Sequence, residues 1–255
     1  MTLFLTSSPC LDDVPQGVSL PCIFNPVNGF VDRLSECWTP DSNVLIIAAD
    51  PDNADLNDEM AQTFCDCFLY HGLTIGDAAL LDARCEEYAA ELVAGADFIL
   101  LGGGHVPTEK AFFDRIGLRD LLRGFDGVVM GVSAGSMNAA DEVYAQPELE
   151  GESIDPEYER FIDGLGLTDL NILPHYQMVR DNILDGRRLY EDITFGDSAG
   201  RTFYVLPDGS YILQRDGQAQ LCGEGYVIRD GRMRRICREG CVLSLGAHDK
   251  TGKDD

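Results

Sequence analysis

Apolar and polar positions switch between two periods along this chain. The run NVLIIAAD, Asn43–Asp50, is short, rich in β-branched residues and closed by Asp-Pro, which predicts a buried strand. Next comes DLNDEMAQTFCDCFLYHG, Asp55–Gly72, opening on acids and closing on glycine. Met60, Phe64, Cys67, Phe68 and His71 recur there at helical spacing, so the segment predicts a helix. LTIGDAALLD (73–82) contains another strand, and ARCEEYAAELVAG (83–95) predicts a helix. DFILLGGG (97–104) is a strand running into glycines. PTEKAFFDRIGLRDLLRGF (107–125) is helical in pattern, with Pro107 suited to a first turn. GVVMGVSA (127–134) is a strand, and SAGSMNAA begins the following helix. The opening MTLFLTSSPCLDD has neither a basic leader nor a long apolar run, and reads as a first strand.

Strand–helix units of this length imply an α/β fold: a mostly parallel sheet with helices on both faces. After Ala140 the pattern loosens. Residues 145–167 are polar and turn-rich, LNILPHYQ (170–177) is another strand end, and DNILDGRRLYEDI predicts a helix over 181–193. Asp208-Gly209, Asp216-Gly217 and Asp230-Gly231 each separate β-rich runs, which predicts C-terminal β-hairpins. No linker or repeat interrupts the pattern, so one domain is expected over residues 1–247, with a polar tail at 248–255.

Charge narrows the partners. Lys and Arg total 19 against 44 Asp and Glu, a net charge of −25 over 255 residues. Such a surface repels phosphate backbones, so nucleic acid is not expected as a partner. No apolar run approaches the roughly 20 residues of a membrane span, so no membrane is expected either. Nine scattered cysteines, an odd number in a chain this long, predict reduced thiols and a cytoplasmic location. No metal or other cofactor is expected. Cys65 and Cys67 are too closely spaced for a zinc knuckle, and Cys237–Cys241 lacks a second ligand pair.

The candidate chemistry lies in MGVSAGSMNAADEVY, where Ser133 stands between Gly131 and Gly135 at a strand-to-helix corner. A nucleophile elbow needs small flanking residues because the turn is sharp, and it projects the hydroxyl at the carboxyl end of the sheet. The Ala134 N–H, at a helix N-terminus, is then a candidate oxyanion donor. A serine also needs a base, and the chain has only four histidines. His248 falls in the tail, and His71 closes a helix at the opposite end of the sheet. His105 and His175 both follow strands at the serine's rim. His175, in LPHY, ends a separate strand and is the better base. The glycine loop before His105 suits backbone donation through the Gly104 N–H, leaving His105 as a substrate contact. Ten acids lie between Ser133 and His175, and the residues themselves do not choose among them.

ILLGGGH, GVSAGSM and ILPHYQ, in this order, resemble the serine peptidase family of aspartyl dipeptidase (peptidase E) and cyanophycinase. The resemblance spans most of the chain. It implies the flavodoxin-like, class I glutamine amidotransferase-like fold with serine in place of cysteine. It further implies Ser133 as nucleophile, His175 as base, Gly104 and Ala134 as oxyanion donors, and an acid between elbow and histidine. In PELEGES the middle acid, Glu150, is the expectation, with Glu148 and Glu152 as neighbours two residues away. An acidic substrate would need a cation, for which Arg180 is the first candidate and Arg187 and Arg188 the others. The chain departs from the dipeptidase branch at His105-Val106-Pro107-Thr108, where Asn-Thr is usual. The expected activity is hydrolysis of small peptides or isopeptides through an acyl-enzyme, with a homodimer as the candidate assembly. The main alternative is a catalytically silent binding or regulatory protein on the same fold, in which Ser133 and His175 would lie too far apart to interact. An α/β-hydrolase is disfavoured because its histidine normally comes late in the chain, and a glutaminase because no cysteine occupies the elbow.

Overall fold

A computed structural model describes residues 1–11 and 13–246; the expected tail at 248–255, with His248, lies outside the described residues. The first half follows the predicted alternation. Strands β1 (Thr2–Thr6), β2 (Ser42–Ile47), β3 (Ile75–Leu81), β4 (Phe98–Leu101) and β5 (Val128–Val132) lie parallel in the order β1-β5-β4-β2-β3. Between them run helices α1 (Phe30–Cys37), α2 (Ala54–Tyr70), α3 (Ala89–Gly95), α4 (Val106–Arg115) and α5 (Leu118–Leu121), and α6 (Ala134–Asn138) follows β5.

The inner strands β1, β5, β4 and β2 carry apolar runs because both of their faces are covered. Leu3, Leu5, Leu45, Ile47, Ile99 and Val129 pack on one side with Val93 of α3, Phe112 and Phe113 of α4 and Leu118 of α5. The alternate residues Phe4, Val44, Ile46, Leu100 and Met130 pack on the other with Phe30 and Leu34 of α1 and Phe64 and Phe68 of α2. Each such side chain, fully buried, contributes roughly 1.5–3 kcal/mol.

Two predicted helices are shorter than their patterns. The helix expected over 83–95 begins as α3 at Ala89, because Asp82 accepts the Arg84 N–H at 2.9 Å and holds the chain in a turn. The helix expected over 107–125 breaks between α4 and α5 at Gly117, whose φ is +65°.

In the second half, β6 (Glu142–Tyr144) pairs with β7 (Phe161–Asp163), and β8 (Asn171–Leu173) leads into the short helix α7 (Tyr176–Val179). The helix expected over 181–193 is corrected. Asp185 (φ +52°) and Gly186 (φ +77°) form a tight turn between β9 (Ile183–Leu184) and β10 (Arg187–Arg188), and helical backbone resumes only at Leu189–Thr194. The Asp185 carboxylate fixes this turn by accepting the Gly151 N–H at 2.9 Å and the Ser153 hydroxyl at 2.7 Å.

Strands β11 (Thr202–Val205), β12 (Tyr211–Arg215), β13 (Gln218–Cys222), β14 (Gly225–Arg229), β15 (Arg232–Cys237) and β16 (Val242–Leu245) complete the fold. Asp216-Gly217 and Asp230-Gly231 make the predicted two-residue hairpins, β12–β13 and β14–β15, with positive φ at all four positions. Asp208-Gly209 does not. Strand β11 pairs with β8 and β14 in a second, four-stranded sheet, whereas β12 joins β1 in the main sheet. The Asp208 turn therefore carries the chain from one sheet to the other. Among the described residues, no helix is long and apolar enough to cross a membrane.

Candidate active site

Ser133 sits between β5 and α6 with φ +51° and ψ −112°, a backbone conformation that a non-glycine residue adopts only under constraint. The constraint is visible on both flanks. A Cβ on Gly131 would lie 2.6 Å from the Ser136 nitrogen, and one on Gly135 would lie 2.5 Å from the Leu101 carbonyl oxygen. Both glycines of the elbow are thus required by close backbone approach. The Ser133 N–H is shared between the Thr6 and Ser7 carbonyls at 3.1 Å each, and the Ser136 hydroxyl donates to the Thr6 carbonyl at 2.8 Å. The elbow is in this way stitched to the end of β1.

His175 and Asp208 reach Ser133 from the second sheet. Strands β8 and β11 run parallel in register, Leu173 opposite Val205. Their carboxyl ends therefore lie side by side, with His175 two residues past one and Asp208 three past the other. His175 Nε2 is 2.8 Å from Ser133 Oγ, and Nδ1 is 2.8 Å from Asp208 Oδ1. An ionised carboxylate only accepts, so Nδ1 carries the ring proton and Nε2 faces the serine as an acceptor. The His175 backbone (φ +56°) is held by its N–H donating to Ser7 Oγ at 2.7 Å.

Asp208 Oδ1 accepts further from the Ser7 hydroxyl at 2.5 Å and the Ser8 N–H at 2.9 Å, and Oδ2 accepts from the Gln177 side-chain amide. Burial pushes the Asp208 carboxyl up, but His175, Ser7 and Ser8 together outweigh it and hold it below the ordinary carboxylate value. Its side chain is only 7% exposed.

Glu150, expected at this position, is corrected: it is exposed on its loop, and the Nδ1 of His175 is taken by Asp208. The neighbouring glutamates have other partners. Glu152 accepts from His105 Nε2 at 2.8 Å and from the Glu148 and Leu149 N–H groups, bracing its own loop against the glycine loop. Glu148 lines a pocket at Ser133.

That pocket is also bounded by Gly104, Val106, Met137, Val179, Ile183 and Leu189. Burial is the main cause holding the Glu148 carboxyl above its usual value. Neither His105 nor Arg180 lines the pocket. His105 is engaged at both ring nitrogens, by Thr108 and Glu152. Arg180 pairs with Asp181, Arg187 donates to the Ser153 carbonyl, and Arg188 pairs with Asp192. A larger hollow around Trp38, Phe98 and Phe125 opens at the amino ends of the strands and contains no histidine.

Gly104 lines the same pocket as Ser133, and Ala134 follows the serine directly. Ala134 is the first residue of α6, where an N–H has no intrahelical partner. The glycine loop presses against the elbow: a Cβ on Gly103 would lie 3.3 Å from Ser133 Cβ, and one on Gly104 would lie 2.8 Å from Ala49 Cβ.

The model of peptidase family S51 matches residues 52–222, well over half of the chain. The chain belongs to peptidase family S51. It is therefore a serine peptidase, with a peptide as its substrate class. This S51 peptidase also superimposes on a solved structure described as that of a candidate peptidase E protein from Listeria monocytogenes EGD-e. The TM-score is 0.58 at 16% identity, covering 92% of this chain and 98% of the other. At that identity the likeness speaks for the fold. No curated protein matches the S51 chain.

Proposed function

We propose that this S51 peptidase cleaves small peptides by a Ser133–His175–Asp208 triad. The observation that carries the reading is the continuous hydrogen-bond chain from Asp208 through His175 to a serine on a constrained elbow. The 2.8 Å contact between His175 and Ser133 also argues against a silent binding protein. His175 takes the Ser133 proton as Oγ attacks the substrate carbonyl. The Gly104 and Ala134 N–H groups receive the oxyanion. The protonated His175 then gives its proton to the leaving amine, and water, activated by the same ring, releases the acyl group. Asp208 keeps the ring in the productive tautomer and stabilises the imidazolium without taking its proton.

The substrate side chain on the acyl side is aliphatic in this reading. Val106, Met137, Val179, Ile183 and Leu189 offer apolar surface, and the one charged group among the lining residues is the acid Glu148. An aspartyl side chain would meet no cation there. Hydrolysis of a dipeptide panel by the wild type and by Ser133→Ala tests the reading. Loss of roughly 10⁴-fold or more in kcat is expected for the variant, and unchanged turnover overturns it.

A further inference from the structure

Three cysteines that are far apart in the sequence converge beside the main sheet. Past β1, residues 9–11 run antiparallel to residues 23–25. Cys10 bridges to Phe24, the Leu11 N–H donates to the Ile23 carbonyl at 3.0 Å, and the Asn25 N–H donates to the Pro9 carbonyl at 2.8 Å. This brings Cys10 and Cys22 together over α2. Cys67 meets them from the buried face of that helix, fully enclosed. The Cys10 and Cys22 sulfurs are 3.0 Å apart, those of Cys22 and Cys67 3.2 Å, and all three lie within 4.8 Å of one another.

These separations do not describe a disulfide, whose sulfurs lie about 2.05 Å apart. Four thiolates at about 2.3 Å around a zinc ion would have S···S edges of about 3.8 Å. The edges of 3.0 and 3.2 Å would open by about 0.8 and 0.6 Å around an ion, and the third edge is no longer than 4.8 Å. The trio's donors are all soft, and no carboxylate belongs to the group. His71, one turn beyond Cys67, stacks on Phe24 and keeps a buried Nε2 without a hydrogen-bond partner among the described residues, but it too lies outside the group.

We propose that Cys10, Cys22 and Cys67 form a three-thiolate site for one thiophilic metal ion of the zinc class. Binding displaces one proton from each thiol to solvent, three in all, and moves no electron. The ion would clamp the segment after β1 to α2. That segment starts at Ser7 and Ser8, which hold Asp208 and the His175 backbone, so the clamp steadies the support of the candidate active site from outside it.

The test is titration of the full-length, reduced protein with cobalt(II), which reports thiolate ligation by an intense charge-transfer absorption, followed by displacement with zinc. The expected result is saturation at one equivalent per chain, with a rise in Tm on zinc addition. Affinity should fall at least tenfold in Cys10→Ser and in Cys22→Ser. These two sites are half-buried, so the variants should fold, which circular dichroism checks. Cys241→Ser, exposed and elsewhere, and Ser133→Ala should bind as the wild type does. No charge-transfer band at one equivalent in reduced protein overturns the proposal. So does a band that persists in the Cys10→Ser/Cys22→Ser double variant. Neither readout depends on peptidase activity.

Discussion

His175 Nδ1 lies 2.8 Å from Asp208 Oδ1, and the two residues meet because β8 and β11 end side by side. The contact separates two acids that could have served the histidine. Asp208→Asn keeps the shape of the site but lets the ring adopt the wrong tautomer, so kcat should fall by about 10⁴-fold. Glu150→Gln, at an exposed loop position, should leave kcat within about twofold. Steady-state kinetics on one good peptide would decide, and the reverse ranking would return the acid to the Glu148–Glu152 loop.

The three residues of the proposed triad differ in how local their sequence signals are. Ser133 lies in a motif of five consecutive residues, so a short window shows the serine and both glycines, although the backbone that crowds Gly135 belongs to Leu101 and Gly102. His175 emerged from scarcity and from its place at a strand end. Asp208 was hidden by its neighbour: Asp-Gly is a hairpin signal, and at Asp216 and Asp230 it is one. Only the pairing of β11 with β8, which periodicity does not reveal, turns Asp208 toward the histidine. A signal was nonetheless present. Both strands end in the same way, Leu173-Pro174-His175 and Leu206-Pro207-Asp208. The same Asp-Gly chemistry at Asp185-Gly186, inside a stretch of helical spacing, makes the β9–β10 turn. The cysteine trio was illegible for a similar reason, since its spacing follows no local motif.

Substrate preference should follow the pocket lining. Among dipeptides differing only on the acyl side, leucyl substrates should exceed aspartyl ones in kcat/KM by roughly 10–100-fold, the value of burying one aliphatic side chain. Glu148→Gln removes a like charge and should raise the aspartyl value, leaving the leucyl value within about twofold. An aspartyl preference in the wild type would show that a cation outside the pocket lining, such as Arg180, reaches the substrate.

Glu109 is fully buried on α4 and hydrogen-bonded to the elbow helix. Asn138 of α6 donates to its Oε2 at 2.7 Å, while Glu109 Oε1 and Asn138 Oδ1 are both buried acceptors without a partner among the described residues. A proton on the carboxyl supplies the donor this pair of oxygens lacks. Burial accordingly raises the Glu109 carboxyl well above its ordinary value, against the opposing Asn138 hydrogen bond. Below the unfolded value, about 4.3, both states are protonated and the group costs nothing. As pH rises above it, the unfolded chain ionises while the native one stays protonated, so folding stability falls until the native group titrates too. Glu109→Gln reproduces the protonated form without the titration. Wild type and variant should therefore melt together near pH 4. By pH 8 the variant should lead, each kcal/mol of difference appearing as about 2–4 °C in Tm. Thermal unfolding across that range checks it, and a wild type that gains on the variant with rising pH would mean that Glu109 is ionised and paired in the native state.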